Sequence, residues 1–298
     1  MSRGNSRRRS DERTTSVRRV LSVVAVAAVA LIAIGSVGLA VAAQNAPAPS
    51  SQERPRFTPA PQPSRTPAPQ QIQPDAALAR LADPARPFNI VMFGDSTGVS
   101  ETGWHTFFAE WLGKTYDRTT AIHPWDGAPN VDQYQPGVWT MNTGRSGRVD
   151  IYNASVSSTK SDFPMTRFEK MVPISGESVD MVFVNYGHNH TAPGLVNEGS
   201  ALVREVVKRY PNAAVIGFLQ NAERAGSPHA STLDSANYSW KTWLENNNFF
   251  YVDVQTPFEE SSDLDAILSD DGDIHPNQAG YQLWAKTLID ALNATPTR

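Results

Sequence analysis

Four short stretches hold side chains that could do chemistry together: Gly94-Asp95-Ser96, Asn153-Ala154-Ser155, Gly187-His188-Asn189 and Asp273-Ile274-His275-Pro276-Asn277. A serine hydroxyl is a poor nucleophile until a neighbouring base takes its proton, and histidine is the usual base near neutral pH. Ser96 and His275 are the candidates for that pairing. The chain has no cysteine, which removes thiolate nucleophiles, disulfides and cysteine-based metal sites. The chemistry of a serine–histidine pair requires no cofactor and no metal. His188, His190 and His275 are a conceivable ligand set, but no carboxylate stands at a recognisable ligand spacing from them, so a metal site is not expected.

The elements around these stretches explain how they would meet. Ile90-Val91-Met92-Phe93 is a short apolar run that stops at Gly94, the pattern of a strand buried on both faces. Trp104, Phe107, Phe108, Trp111 and Leu112 then keep a helical period. That strand is predicted over Phe88–Phe93, with others at Val149–Tyr152, Val179–Tyr186, Ala213–Leu219 and Phe249–Val254. Helices are predicted over 101–114, 164–171, 194–210, 231–247 and 277–293. Alternating strands and helices imply an α/β fold with a parallel sheet. In such a sheet the strand carboxyl ends share one edge, where ligands bind. Ser96, Ser155 and Asn189 should therefore converge, with His275 reaching the same edge from the start of the last helix. The segment 115–148, rich in Gly, Pro, Asn, Asp and Trp, breaks the alternation and is expected to be an inserted loop near the site.

Taken in order, these motifs resemble the SGNH/GDSL hydrolase superfamily, over about residues 86–295. The resemblance implies a flavodoxin-like three-layer α/β/α sandwich and a serine esterase. It implies Ser96 as nucleophile and His275 as general base. The backbone N–H groups of Ser96 and Ser155 and the side-chain amide of Asn189 would form an oxyanion hole. Two departures stand out. Glycine is usual at the second block, where Ala154 and Ser155 stand here. The acid usually lies three residues before the histidine, but position 272 is glycine. Asp273 is the first candidate, matching the Asp-x-His spacing of some related O-acetyltransferases, and Asp271 the second. Asp95 is read as a turn-former. Trp104 is a candidate platform for a sugar ring, against the commoner role of a buried tryptophan. His188 is expected to line the pocket or to hydrogen-bond within its loop.

The rest of the chain suggests where this would happen. Residues 1–19 are basic and polar, and 20–43 form an uncharged run of about 24 residues, at ~1.5 Å each long enough to cross a bilayer. The flanking arginines put the N-terminus in the cytoplasm and the body outside. This segment is read as a retained anchor, with a cleaved signal peptide as the alternative because Ala40-Val41-Ala42 offers a small-x-small site. Residues 44–83 are a linker, proline-rich from Pro47 to Pro74, with a short helix expected at Ala76–Leu81 where the folded part begins. The hydrolase domain is placed at 84–298. Seven arginines against Asp11 and Glu12 give residues 1–43 a net +5, which leaves −9 on the remainder of a chain whose total is −4. An acidic body excludes nucleic acid as a natural partner. The expected function is hydrolysis of a small ester, an O-acetyl group on a carbohydrate or cell-envelope glycan. An O-acyltransferase with the same site and a non-catalytic glycan-binding envelope protein are the alternatives.

Overall fold

The computed structural model describes residues 71–294, with Pro129, Ala225, Asp271 and Asp273 outside the description. The strands are β1 (Phe88–Gly94), β2 (Arg118–Pro124), β3 (Trp139–Asn142), β4 (Ser146–Ser155), β5 (Met181–Asn185), β6 (Ala214–Leu219) and β7 (Phe250–Asp253). They form one sheet in the order β3-β2-β4-β1-β5-β6-β7. Every neighbouring pair is parallel except β2 with β3.

Side chains alternate between the two faces of a strand, and β1 shows what that produces. Ile90 and Met92 join one core with Trp104, Phe108 and Leu112 of α1 (Trp104–Tyr116) and Trp284 and Leu288 of a C-terminal helix, Gln278–Ala294. Val91 and Phe93 join a second core with Leu202 and Val206 of α2 (Ser200–Arg209) and Trp240 and Leu244 of α3 (Ala230–Asn246). The C-terminal helix is hereafter α4. The result is the expected three-layer α/β/α sandwich. All four side chains from Ile90 to Phe93 are fully buried, each contributing roughly 2 kcal/mol to folding.

Two features correct the expectations. The segment 115–148 is not an inserted loop: it supplies β2 and β3, which extend the sheet at one edge. The folded part begins a few residues before the helix expected to start it at Ala76–Leu81, so residues 72–83, assigned to the linker, belong to the domain. Ile72 makes a parallel bridge to Ala214, and Ala77 and Leu81 are buried. The short helix there is Pro74–Leu78, followed by a 3-10 turn at Ala79–Ala82.

Charge as well as apolar contact fixes this N-terminal segment. The fully buried Arg118 donates to the carbonyls of Leu81 (2.9 Å), Asp83 (2.5 Å) and Arg86 (2.6 Å). Asp180, also fully buried, accepts from Arg80 (2.9 Å), Arg86 (2.6 Å) and the backbone N–H of Asn89 (3.0 Å).

Among the described residues no helix is long and apolar enough to cross a membrane. The expected span 20–43, the basic segment before it and most of the linker lie outside the described residues.

Candidate active site

Sheet register assembles the site. Gly94, the last residue of β1, is level with Ser155 at the end of β4 and with Asn185 at the end of β5. Three of the four sequence stretches thus emerge side by side at one rim. Beyond Gly94 the chain turns sharply. Asp95 is extended (φ −103°, ψ −154°) and caps a 3-10 turn, Ser96–Gly98. Its carboxylate accepts from the Thr97 backbone N–H (3.1 Å) and hydroxyl (2.9 Å), the turn-forming role expected of it. Ser96 is left half-buried at the crest of the turn.

His275 reaches that crest from the segment before α4. Its Nε2 lies 2.9 Å from Ser96 Oγ, although the two residues are 179 positions apart. With the ring proton on Nδ1, Nε2 accepts the Ser96 hydroxyl proton, the arrangement a general base needs. The histidine segment is closed on itself: Ser269 N–H donates to the His275 carbonyl (2.8 Å), and Leu268 pairs with Pro276. Asn277 secures its base. Its side-chain amide donates to the Ala266 and Leu268 carbonyls, and its oxygen accepts from the backbone N–H groups of Ala279 and Gly280 at the start of α4. Asp271 and Asp273, the two candidate acids, lie outside the described residues.

The expected oxyanion donors are placed less simply. The Ser155 N–H donates to Asn153 Oδ1 at 3.1 Å, and the Ser155 hydroxyl is buried against the nucleophile turn with no hydrogen-bond partner among the described residues. Asn153 in turn donates to the Gly98 carbonyl (2.7 Å), so this pair braces the turn. The left-handed backbone conformation that favours glycine occurs three residues further on, at Ser158 (φ 61°). Ser157, beside it, lines the same cavity as Ser96 and His275. The Asn189 amide donates to the Thr159 carbonyl (2.9 Å), which leaves its second N–H to be assigned.

Two expected substrate contacts are corrected. Trp104 is fully buried and stacks on Trp284, ring centroids 5.6 Å apart and planes 2° apart, so it is core and not a sugar platform. The His188 ring is enclosed as well, with Nδ1 3.1 Å from Glu223 and Nε2 3.2 Å from Asn221. Asn221 directs its amide at the Ala222 and Ile274 carbonyls, so the His188 ring faces its oxygen. Burial opposes the Glu223 charge, but hydrogen bonds from His188 and Ser227 outweigh it and hold its pKa below the ordinary carboxylate value. His190 is buried too, accepts from the Ser161 N–H (3.2 Å), and has its pKa pushed down to about 4 by burial.

Sequence reasoning missed the polar run that follows β6. Gln220, fully buried, places its amide nitrogen 3.1 Å from both Asp95 oxygens and from Asn185 Oδ1. Its carbonyl oxygen accepts from the His188 N–H at 2.7 Å. One side chain therefore ties the Ser96 turn to the Asn189 loop. The available signal was positional: a predicted strand, Ala213–Leu219, ending in Gln-Asn at the same rim.

The Ser96–His275 pair opens onto a cavity of about 370 Å³ whose walls include Ser100, Thr102, Ser157, Ser269 and Tyr281. A strand-end serine hydrogen-bonded to a histidine ahead of the last helix of a parallel α/β/α sandwich defines a serine hydrolase. The chain belongs to the GDSL-like lipase/acylhydrolase family, whose model matches residues 92–283, and with that membership it is a serine ester hydrolase. Among solved structures it is similar to a lipase/acylhydrolase from Enterococcus faecalis (16% identity, 68% of this chain and 94% of the other, TM-score 0.51). It is also similar to an alpha/beta hydrolase enzyme from the metagenome of Lake Arreo (18% identity, 72% and 98%, TM-score 0.50). At these identities the likeness is one of fold. None of the curated proteins matches the chain.

Proposed function

We propose that the protein is an exported esterase that removes a small acyl group, of acetyl size, from a hydroxyl-rich alcohol such as an envelope glycan. The observation that carries this reading is the 2.9 Å contact between His275 and Ser96 at the mouth of a polar cavity. Among the described residues, Val99 and Pro276 are the only aliphatic ones on its walls, against five with hydroxyls besides Ser96. A long acyl chain would forgo roughly 0.8 kcal/mol for each methylene left unburied there, whereas an acetyl group would lose little and a sugar would find hydrogen-bond partners.

In this mechanism Ser96 Oγ attacks the ester carbonyl carbon while His275 Nε2 takes its proton. The tetrahedral intermediate collapses, the carbon–oxygen bond to the alcohol breaks, and His275 returns the proton to the leaving oxygen. Water then attacks the acyl-serine while giving a proton to His275; the bond to Ser96 Oγ breaks, His275 returns the proton to that oxygen, and the acid departs. The oxyanion is held by the Ser96 N–H, the Asn189 amide and the Ser157–Ser158 turn, which takes the place first given to Ser155. Asp273 or Asp271 orients the imidazole. The arginine-flanked apolar run 20–43 supports an anchor with the body outside the cell.

Labelling with a fluorophosphonate, together with turnover of p-nitrophenyl acetate and octanoate, tests the reading. The wild type should be labelled, Ser96→Ala and His275→Ala should not, and acetate should be preferred. Failure to label would return the protein to the non-catalytic glycan-binding alternative. Faster turnover on adding a sugar acceptor, with little hydrolysis, would assign acyl transfer instead.

A further inference from the structure

We propose that Arg224 is a positioning residue, whose guanidinium holds the segment that presents His275 to Ser96. The inference rests on the reading of that pair as the reacting groups. Arg224 follows β6 and lies outside the four stretches in which the chemistry was first sought. It reaches across to the histidine segment and binds it at several points. Nη1 donates to the Ser269 carbonyl (2.9 Å) and the Gly272 carbonyl, and Nη2 to the Leu268 carbonyl (3.4 Å). Nε meets Asp265 Oδ1 at 2.6 Å. The side chain is only one-fifth exposed.

The bonds of Asn277 and the Leu268–Pro276 pairing close the base of the 269–275 excursion, but they do not reach its interior. Among the described residues, the interior is held from the loop that follows β6, by Arg224 at Ser269 and Gly272 and by Asn221 at the Ile274 carbonyl (2.9 Å). Three carbonyls and a carboxylate around one rigid planar donor suit arginine; a lysine ammonium, a point charge on a flexible stem, could not span them. The same excursion carries Asp271 and Asp273. Releasing it would let the imbalance fall on the Ser96–His275 distance, where a displacement of about 1 Å can cost ~10²-fold in rate.

The test uses Arg224→Ala and Arg224→Lys in the full chain, with thermal unfolding to establish that each is folded. Should the alanine variant not fold, the lysine variant carries the comparison. Arg224→Ala should lose about 10²-fold in kcat for p-nitrophenyl acetate and in fluorophosphonate labelling rate, with KM little changed. Guanidinium at non-denaturing concentration should restore much of the loss in Arg224→Ala and leave the wild type unaffected, and Arg224→Lys should remain impaired. A folded variant labelled at the wild-type rate would overturn the proposal. So would a deficit that guanidinium does not relieve and that falls on KM. Absence of Ser96-dependent labelling in the wild type would instead sink the reading of the site itself.

Discussion

Replacing Gly98 by alanine puts the contact between the nucleophile turn and β4 to a direct test. A Cβ built at Gly98 overlaps Ser155 Oγ, lies 2.5 Å from Met92 Cε and 2.9 Å from Ser155 Cβ. The methionine can swing aside, since its side chain is unbranched and adaptable. Ser155 cannot, because its Cβ is fixed by a strand paired to β1 in register. The turn must then lift off the sheet or the strand must give, and overpacking of this kind costs about 1–3 kcal/mol. Ser155→Gly removes both the Cβ and the hydroxyl in the way. Alone it should cost about 0.5–1 kcal/mol, the usual penalty for glycine in a strand, reduced by loss of a buried hydroxyl that has no partner among the described residues. The double variant should therefore be more stable than the sum of the single changes predicts, by about 1–2 kcal/mol. Urea unfolding of the four proteins measures this coupling. Additivity to within ~0.5 kcal/mol would refute the argument that these two residues are in steric contact. Labelling of Ser96 should slow in Gly98→Ala and recover in the double variant, because the residue displaced with the turn is the nucleophile.

Acid should destabilise the fold through two neutral histidines. Burial lowers His105 from its ordinary 6.5 to about 3 and His190 to about 4. Below pH 6.5 the unfolded chain binds protons at these positions and the folded one does not, so stability falls with pH down to those values, by roughly 1 kcal/mol per pH unit for each. Urea midpoints at pH 8, 6 and 5 should fall accordingly and less steeply in His105→Gln; equal slopes would remove His105 from the account. Gln220→Leu keeps volume but strips hydrogen bonds from the buried Asp95 carboxylate and leaves the His188 N–H without its acceptor. It should cost about 3 kcal/mol or more in unfolding measurements, and a loss below ~1 kcal/mol would show that the contacts are replaced.

What the sequence disclosed follows from where each signal is stored. Ile90–Phe93 declares a strand buried on both faces because every one of its side chains is apolar. Ser96 and Asn189, just past strand ends, and His275, just ahead of the last helix, stand out because small or polar residues at such places have a meaning that local pattern carries. β2 hides, since it opens on Arg118-Thr119-Thr120 and ends in Pro124, and its arginine is satisfied by hydrogen bonds to carbonyls of the distant segment 81–86. Gln220 and Arg224 look like solvated surface residues until the tertiary fold brings acceptors to them. Trp104 could be assigned to core or to ligand only by finding Trp284, a residue 180 positions later, lying flat against it. The Ser155 N–H, expected as an oxyanion donor, is engaged by Asn153 Oδ1. The second block supplies its left-handed residue after the strand, at Ser158, and a tripeptide ending at Ser155 stops short of it.

The bridge from Ile72 to Ala214 joins the preceding chain to the first residue of β6, whereas Gln220, just past the last, stands among the catalytic loops. Six residues of strand, at about 3.3 Å each, separate the two by roughly 20 Å. Ile72 and the reacting groups thus lie at opposite ends of the sheet. A change at the Ile72 bridge would therefore act on the far end of β6 and leave the Ser96–His275 pair in place.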